Sequence, residues 1–110
     1  MDDPTQTFRL DGKVVIITGA SSGLGERFAR VCDAAGAELV LAARRLDRLE
    51  VLANSLRAAV PVRADFTTDE APAAVMDAAL SEFGAVDVVV NNAGISRVLR
   101  AIDDLSLIHI

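Results

Sequence analysis

Several groups of residues in this chain have the types and spacing to do chemistry. The run Thr18-Gly19-Ala20-Ser21-Ser22-Gly23-Leu24-Gly25 sits between a continuous valine and isoleucine stretch and a helix-length amphipathic segment. Glycines at such a junction let the backbone turn sharply and let a diphosphate come close. The N–H groups and positive end of the following helix then face the anion. The helix dipole contributes on the order of 0.3–1 kcal/mol, and several charge-assisted N–H bonds add to it. A loop that wraps ATP phosphates needs Gly-Lys-Ser/Thr at the helix start, and Gly23-Leu24-Gly25 has no lysine. The spacing G-x-x-x-G-x-G also departs from the G-x-G-x-x-G fingerprint. Arg44, Arg45 and Arg48 form a second group, readable as a solvated helix start or as an anion site. Asp65-Phe66 and Asn91-Asn92-Ala93-Gly94 each close an apolar run.

The elements that must position these residues follow from periodicity. Asp11-Gly12 is a turn signal, and Lys13 to Thr18 is an apolar run of the kind buried on both faces of a sheet. Leu24, Phe28, Val31, Cys32 and Ala35 form one helical stripe, closed by Gly36. Cys32 is therefore expected in the core rather than as a reactive thiolate. Glu38 to Ala43 is a second strand, and Leu49, Leu52, Ala53 and Leu56 mark a second helix. Val60 to Ala64 is a third strand, placed at a sheet edge by Pro61. A third helix carries Val75, Ala79, Leu80 and Phe83 and stops at Gly84, with Asp69 as the cap that best suits Pro72. Val86 to Asn91 is the fourth strand. Strands joined by helices run parallel, and right-handed crossovers predict an α/β, Rossmann-like doubly wound sheet of order 3-2-1-4. Ligands of such sheets bind at the carboxyl ends of the strands, where the chain reverses direction between strands 1 and 4.

Composition narrows the classes. A chain of 110 residues, 52% hydrophobic and 25% charged, holds one globular domain at most. One cysteine and one histidine exclude an internal disulfide and a Cys/His metal cluster. A net charge of -5 argues against nucleic acid as a partner. The polar start and the lack of a long apolar run argue against a membrane partner, which makes the cytoplasm the expected location.

With Thr18 to Gly25 after the first strand and Asn91-Asn92-Ala93-Gly94 after the fourth, the chain resembles the short-chain dehydrogenase/reductase family. The resemblance covers Leu10 to about Asp104. It implies an NAD(P)-dependent oxidoreductase that moves hydride between a nicotinamide cofactor and a small-molecule alcohol or carbonyl substrate. By the resemblance, Gly19, Ser21, Gly23, Leu24 and Gly25 contact the diphosphate and the nicotinamide side. Asp65 and Phe66 lie beside the adenine, Asn91 steadies the central strands and touches the ribose, and Ala93 and Gly94 run along the cofactor. The alternative reading of Asp65 is a turn or helix-start carboxylate. At the end of strand 2 an acid would bind the ribose 2′-hydroxyl, but Ala43 stands there, followed by Arg44 and Arg45. A guanidinium can pair bidentately with a 2′-phosphate, so NADP is favoured over NAD. The family's other basic position, just before the middle glycine, holds Ser22, a loop residue included among the cofactor contacts.

Proton transfer is the part not found. Family members supply it from a Tyr-x-x-x-Lys pair on one helical face, with a Ser and an Asn nearby. This sequence has no tyrosine, and its only lysine is Lys13. The expectation is a cofactor-binding part over residues 1–106 that is inactive alone, with catalytic positions and any homo-oligomer contacts belonging to a full-length enzyme. Leu107-Ile108-His109-Ile110 departs from the family pattern and is expected to be an anomalous tail. That would leave strand 4 as an uncovered valine edge prone to aggregation. The alternatives are a noncatalytic nucleotide-binding or interaction module and, more distantly, a methyltransferase. The latter wants an acid where Ala43 stands.

Overall fold

The computed structural model describes residues 9–92 together with the backbone of a strand at 107–109. The elements alternate as expected: β1 Val14–Thr18, α1 Gly23–Ala34, β2 Glu38–Ala43, α2 Leu46–Asn54, β3 Ala59–Arg63, α3 Ala71–Phe83, β4 Val88–Asn91 and β5 Leu107–His109. All pairings are parallel, in the order β3-β2-β1-β4-β5. The predicted 3-2-1-4 order therefore holds, and a fifth strand is added to it.

Alternate residues of the strands serve opposite faces, which is why they read as unbroken apolar runs. On one face Val15, Ile17, Leu39 and Leu41 pack under Ala29 and Cys32 of α1 and Leu49 and Leu52 of α2. On the other, Val14, Ile16, Val40 and Val89 pack with Val75 and Ala79 of α3. Right-handed crossovers dictate this split, because the chain moves one way from β1 to β3 and then returns past β1 to β4. Each fully buried isoleucine or leucine contributes about 1.5–3 kcal/mol relative to exposure.

Details differ from the helical stripes read in the sequence. Leu24 and Val31 of α1 are 47% and 49% exposed, and Leu80 of α3 is 50% exposed. The face of α1 that meets the sheet is Gly25, Ala29 and Cys32, because Gly25 lets the helix start sit directly on the preceding turn. Glu70, not Asp69, occupies the cap position of α3 and makes no side-chain capping bond, while Pro72 falls in the first turn and Gly84 closes the helix with φ 77°.

Pro61 lies in edge strand β3, opposite Leu41. The Ala64 N–H donates to Ala43 O, so by strand alternation the 61 position faces away from β2 and its missing N–H costs no sheet bond. Strand β4 is not the uncovered edge expected from the sequence: Leu107–His109 pairs along Val89–Asn91. A short apolar, β-prone stretch suits the open backbone of a neighbouring strand. No helix among the described residues is long and apolar enough to cross a membrane.

Candidate cofactor site

The carboxyl ends of β1, β2 and β3 converge on a cavity of about 300 Å³ lined by Gly19, Ser21, Arg44, Arg45, Asp65 and Phe66, with Ala43, Ala64 and Thr67. Six residues singled out by sequence as cofactor contacts thus come together. Three separate loops carry them, each leaving the end of a parallel strand.

The glycines of the first loop have distinct physical roles. Gly19 has φ 66°, a left-handed conformation that a side chain would strain, and its missing Cβ would come 3.0 Å from Asn92 O. A Cβ on Gly25 would run into Gly19 O and stand 2.8 Å from Ala20 Cα, so only glycine lets α1 begin against that turn. In front of Gly23 nothing lies within 4 Å. Its face is the open approach to the helix start.

Ser22 caps α1. Its hydroxyl accepts from Gly25 N at 3.2 Å and donates to Gly19 O at 2.9 Å. The Glu26 N–H closes on Ser22 O at 2.8 Å. Of the first-turn amides, those of Gly23 and Leu24 are left without a partner inside the helix, as helix geometry requires. They border the open face at Gly23. The Ser22 hydroxyl is committed inward to loop shape.

Asn92 is a site residue that sequence reading passed over within its own motif. Its Nδ2 donates to Ser22 Oγ at 3.1 Å and Gly19 O at 3.4 Å, and its N–H donates to Thr18 Oγ1 at 2.9 Å. The strand end of β4 thereby latches the glycine loop of β1 from across the crevice. Asn91 is buried beside Thr18, whose Oγ1 lies 3.4 Å from Asn91 Oδ1, which fits a residue that steadies the central strands. Ala93 and Gly94 lie outside the described residues.

On the opposite wall, Asp65 Oδ1 accepts from Thr67 N at 3.0 Å and Thr67 Oγ1 at 2.6 Å. These two bonds, and then the positive charge of Arg44 and Arg63, hold the Asp65 carboxyl below its ordinary range. The turn role weighed for Asp65 in the sequence is therefore real, and the turn also presents Phe66 to the cavity. Thr67 joins the lining; its signal in the sequence was the Asp-x-Thr spacing that favours such a turn. Arg45 is paired with Asp47 at 3.2 Å, and its hydrogen bond to that carboxylate lowers the Asp47 pKa. For Arg44 there is no ion pair within 4 Å among the described residues.

Comparisons with known proteins agree with this geometry. The family model for short chain dehydrogenase matches residues 13–107. An uncharacterized oxidoreductase of Staphylococcus saprophyticus is 45% identical over 85 residues, covering 76% of this chain and 35% of that protein. A short chain dehydrogenase/reductase from Burkholderia phymatum, solved in complex with NAD, superposes with a TM-score of 0.85 at 28% identity, over 93% of this chain and 50% of that one. L-sorbose reductase from Gluconobacter frateurii, solved with NADPH and L-sorbose, gives 0.82 at 30% identity, over 93% and 53%. This chain spans about a third of the length of the first curated relatives it matches. By the strand-ordered loop motifs, the parallel sheet and the matched family model together, the chain belongs to the short-chain dehydrogenase/reductase family.

Proposed function

We propose that this chain is the cofactor-binding portion of an oxidoreductase that moves hydride between a nicotinamide cofactor and an alcohol or carbonyl compound, with NADP preferred over NAD. The bound nicotinamide supplies the hydride chemistry; the residues described here bind and orient it. The observation that carries the preference is the end of β2, where Ala43 is followed by Arg44 facing the cavity with no ion pair within 4 Å among the described residues. The open face at Gly23, with the Gly23 and Leu24 amides beside it, suits a diphosphate. Asp65 and Phe66 form the wall for the adenine, Ser21 and Arg44 take the 2′-phosphate, and Asn91 holds the crevice floor toward the ribose. Gly19, Ser22 and Gly25 shape the loop.

Binding and turnover separate in this reading. The sequence holds no tyrosine, so the tyrosine acid of the family would come from polypeptide outside these 110 residues. The second reading is a noncatalytic nucleotide-binding module that uses the same glycine loop. Titration of the purified chain with NADPH and NADH, followed by quenching or enhancement of reduced-nicotinamide fluorescence, tests the proposal. Tighter binding of NADPH, lost on Arg44→Ala, is expected. Equal affinity for the two cofactors would defeat the 2′-phosphate assignment. Addition of a polypeptide carrying a Tyr-x-x-x-Lys element separates the two readings, because only the enzyme reading predicts restored carbonyl reduction.

A further inference from the structure

We infer that Arg48, rather than Arg45, is the second cation for the 2′-phosphate, so that the phosphate sits between Arg44 and Arg48 over Ser21. This rests on the NADP reading above and assigns that site more finely.

Beside the cavity at the strand ends lies a second one, of about 450 Å³, between the starts of α1 and α2. Ser21, Glu26, Arg30, Asp47 and Arg48 are its charged and polar walls. Ser21 lines both cavities and is the point where they meet. Four of the surrounding charges are already matched. Arg30 pairs with Glu26 at 3.0 Å, and Arg45 pairs with Asp47 at 3.2 Å. Each of those guanidiniums would have to leave a carboxylate to reach an added phosphate, which exchanges one ion contact for another and leaves the carboxylate facing a dianion. Arg44 and Arg48 have no ion pair within 4 Å among the described residues, one on each side of Ser21. Arg44 lies just before the Arg45 cap and Arg48 is the third residue of α2, so both stand at the start of that helix. Beyond the longer-range pull of Asp65 on Arg44, the two guanidiniums at the junction are not tied up in close ion pairs, and a doubly charged phosphate would gain two contacts there without breaking one.

The test compares NADPH and NADH affinities of the wild-type chain with those of Arg48→Gln, Arg48→Lys and Arg45→Gln, at one fixed ionic strength. All of these positions are exposed, so the variants keep the fold. Arg48→Gln is expected to weaken NADPH roughly five- to tenfold and to leave NADH within about twofold, the size of one charge-assisted contact at an exposed site. Arg48→Lys should recover part of the loss, and Arg45→Gln should change NADPH affinity less than about twofold. A wild-type preference for NADPH that survives Arg48→Gln would overturn the inference and leave the NADP reading standing. So would an equal loss of NADH, or a larger loss on Arg45→Gln. Equal or absent binding of both cofactors by the wild-type chain would remove the NADP reading itself.

Discussion

Substituting the two glycines that flank Leu24 should produce opposite results, because one faces backbone and the other faces open space. At Gly25 an added methyl meets Gly19 O and stands 2.8 Å from Ala20 Cα and 2.9 Å from Gly19 C, none of which can rotate away. Overpacking of this kind costs about 1–3 kcal/mol. Alanine in place of glycine inside a helix returns up to about 1 kcal/mol of that. Gly25→Ala should therefore be destabilised by roughly 1–2 kcal/mol, a loss of roughly 5–15 °C in Tm for a domain of this size. At Gly23 a methyl has nothing within 4 Å, so Gly23→Ala should melt within about 0.5 kcal/mol of the wild-type chain, where ordinary surface changes fall. Its methyl would instead occupy the space where a diphosphate comes close, so it should weaken NADPH by at least tenfold, a change of about 1.4 kcal/mol. Thermal melts followed by far-UV circular dichroism, run beside cofactor titrations, separate the two effects. A Gly25→Ala chain as stable as wild type, or a Gly23→Ala chain that binds NADPH normally, would refute this division of roles.

Asn92→Ala removes the latch onto Ser22 Oγ and Gly19 O and should cost about 0.5–1.5 kcal/mol of stability, with weaker cofactor binding, measurable by denaturant unfolding and titration. In a carbon-detected NMR titration, Asp65 should protonate below the ordinary aspartate value of about 3.9, and Thr67→Val should move its midpoint upward. The sign follows from a folded pKa that is depressed: the stabilisation is present above the unfolded pKa and is lost as pH falls through the folded one. Cys32 is buried and burial pushes its thiol upward, so a thiol reagent should label it no faster than the chain opens. Labelling at the rate of a free thiol in native buffer would contradict that core placement.

Much of this arrangement was legible in the sequence because it rests on local rules. The apolar runs at Val14–Thr18 and Glu38–Ala43 could only be strands covered on both faces, and the alternation with helices left few sheet orders open. The glycine spacing announced a tight turn at a helix start. What escaped was tertiary. Leu24 and Val31 had the right periodicity for the core, but the close seating of Gly25 turned the buried face of α1 toward Ala29 and Cys32. Asn92 gave no local sign of its task, since its partners Ser22 and Gly19 lie 70 and 73 residues earlier in the chain. The pairing of Arg45 with Asp47, which separates three similar arginines, needed side-chain positions. The three residues of β5 are too few to show a strand period, and only the open edge of β4 gives Leu107–His109 a partner.

The central claim, that a nicotinamide dinucleotide lies across the carboxyl ends of β1 to β4, is tested most directly by amide chemical-shift mapping of the isotopically labelled chain as NADPH is added. The account predicts that perturbations gather at Gly19, Ser21, Gly23, Leu24, Arg44, Asp65 and Phe66. Asp33, Gly36 and Arg57, at the amino ends of the strands, should stay still. Shifts centred on that opposite end, or none at saturating NADPH, would contradict it.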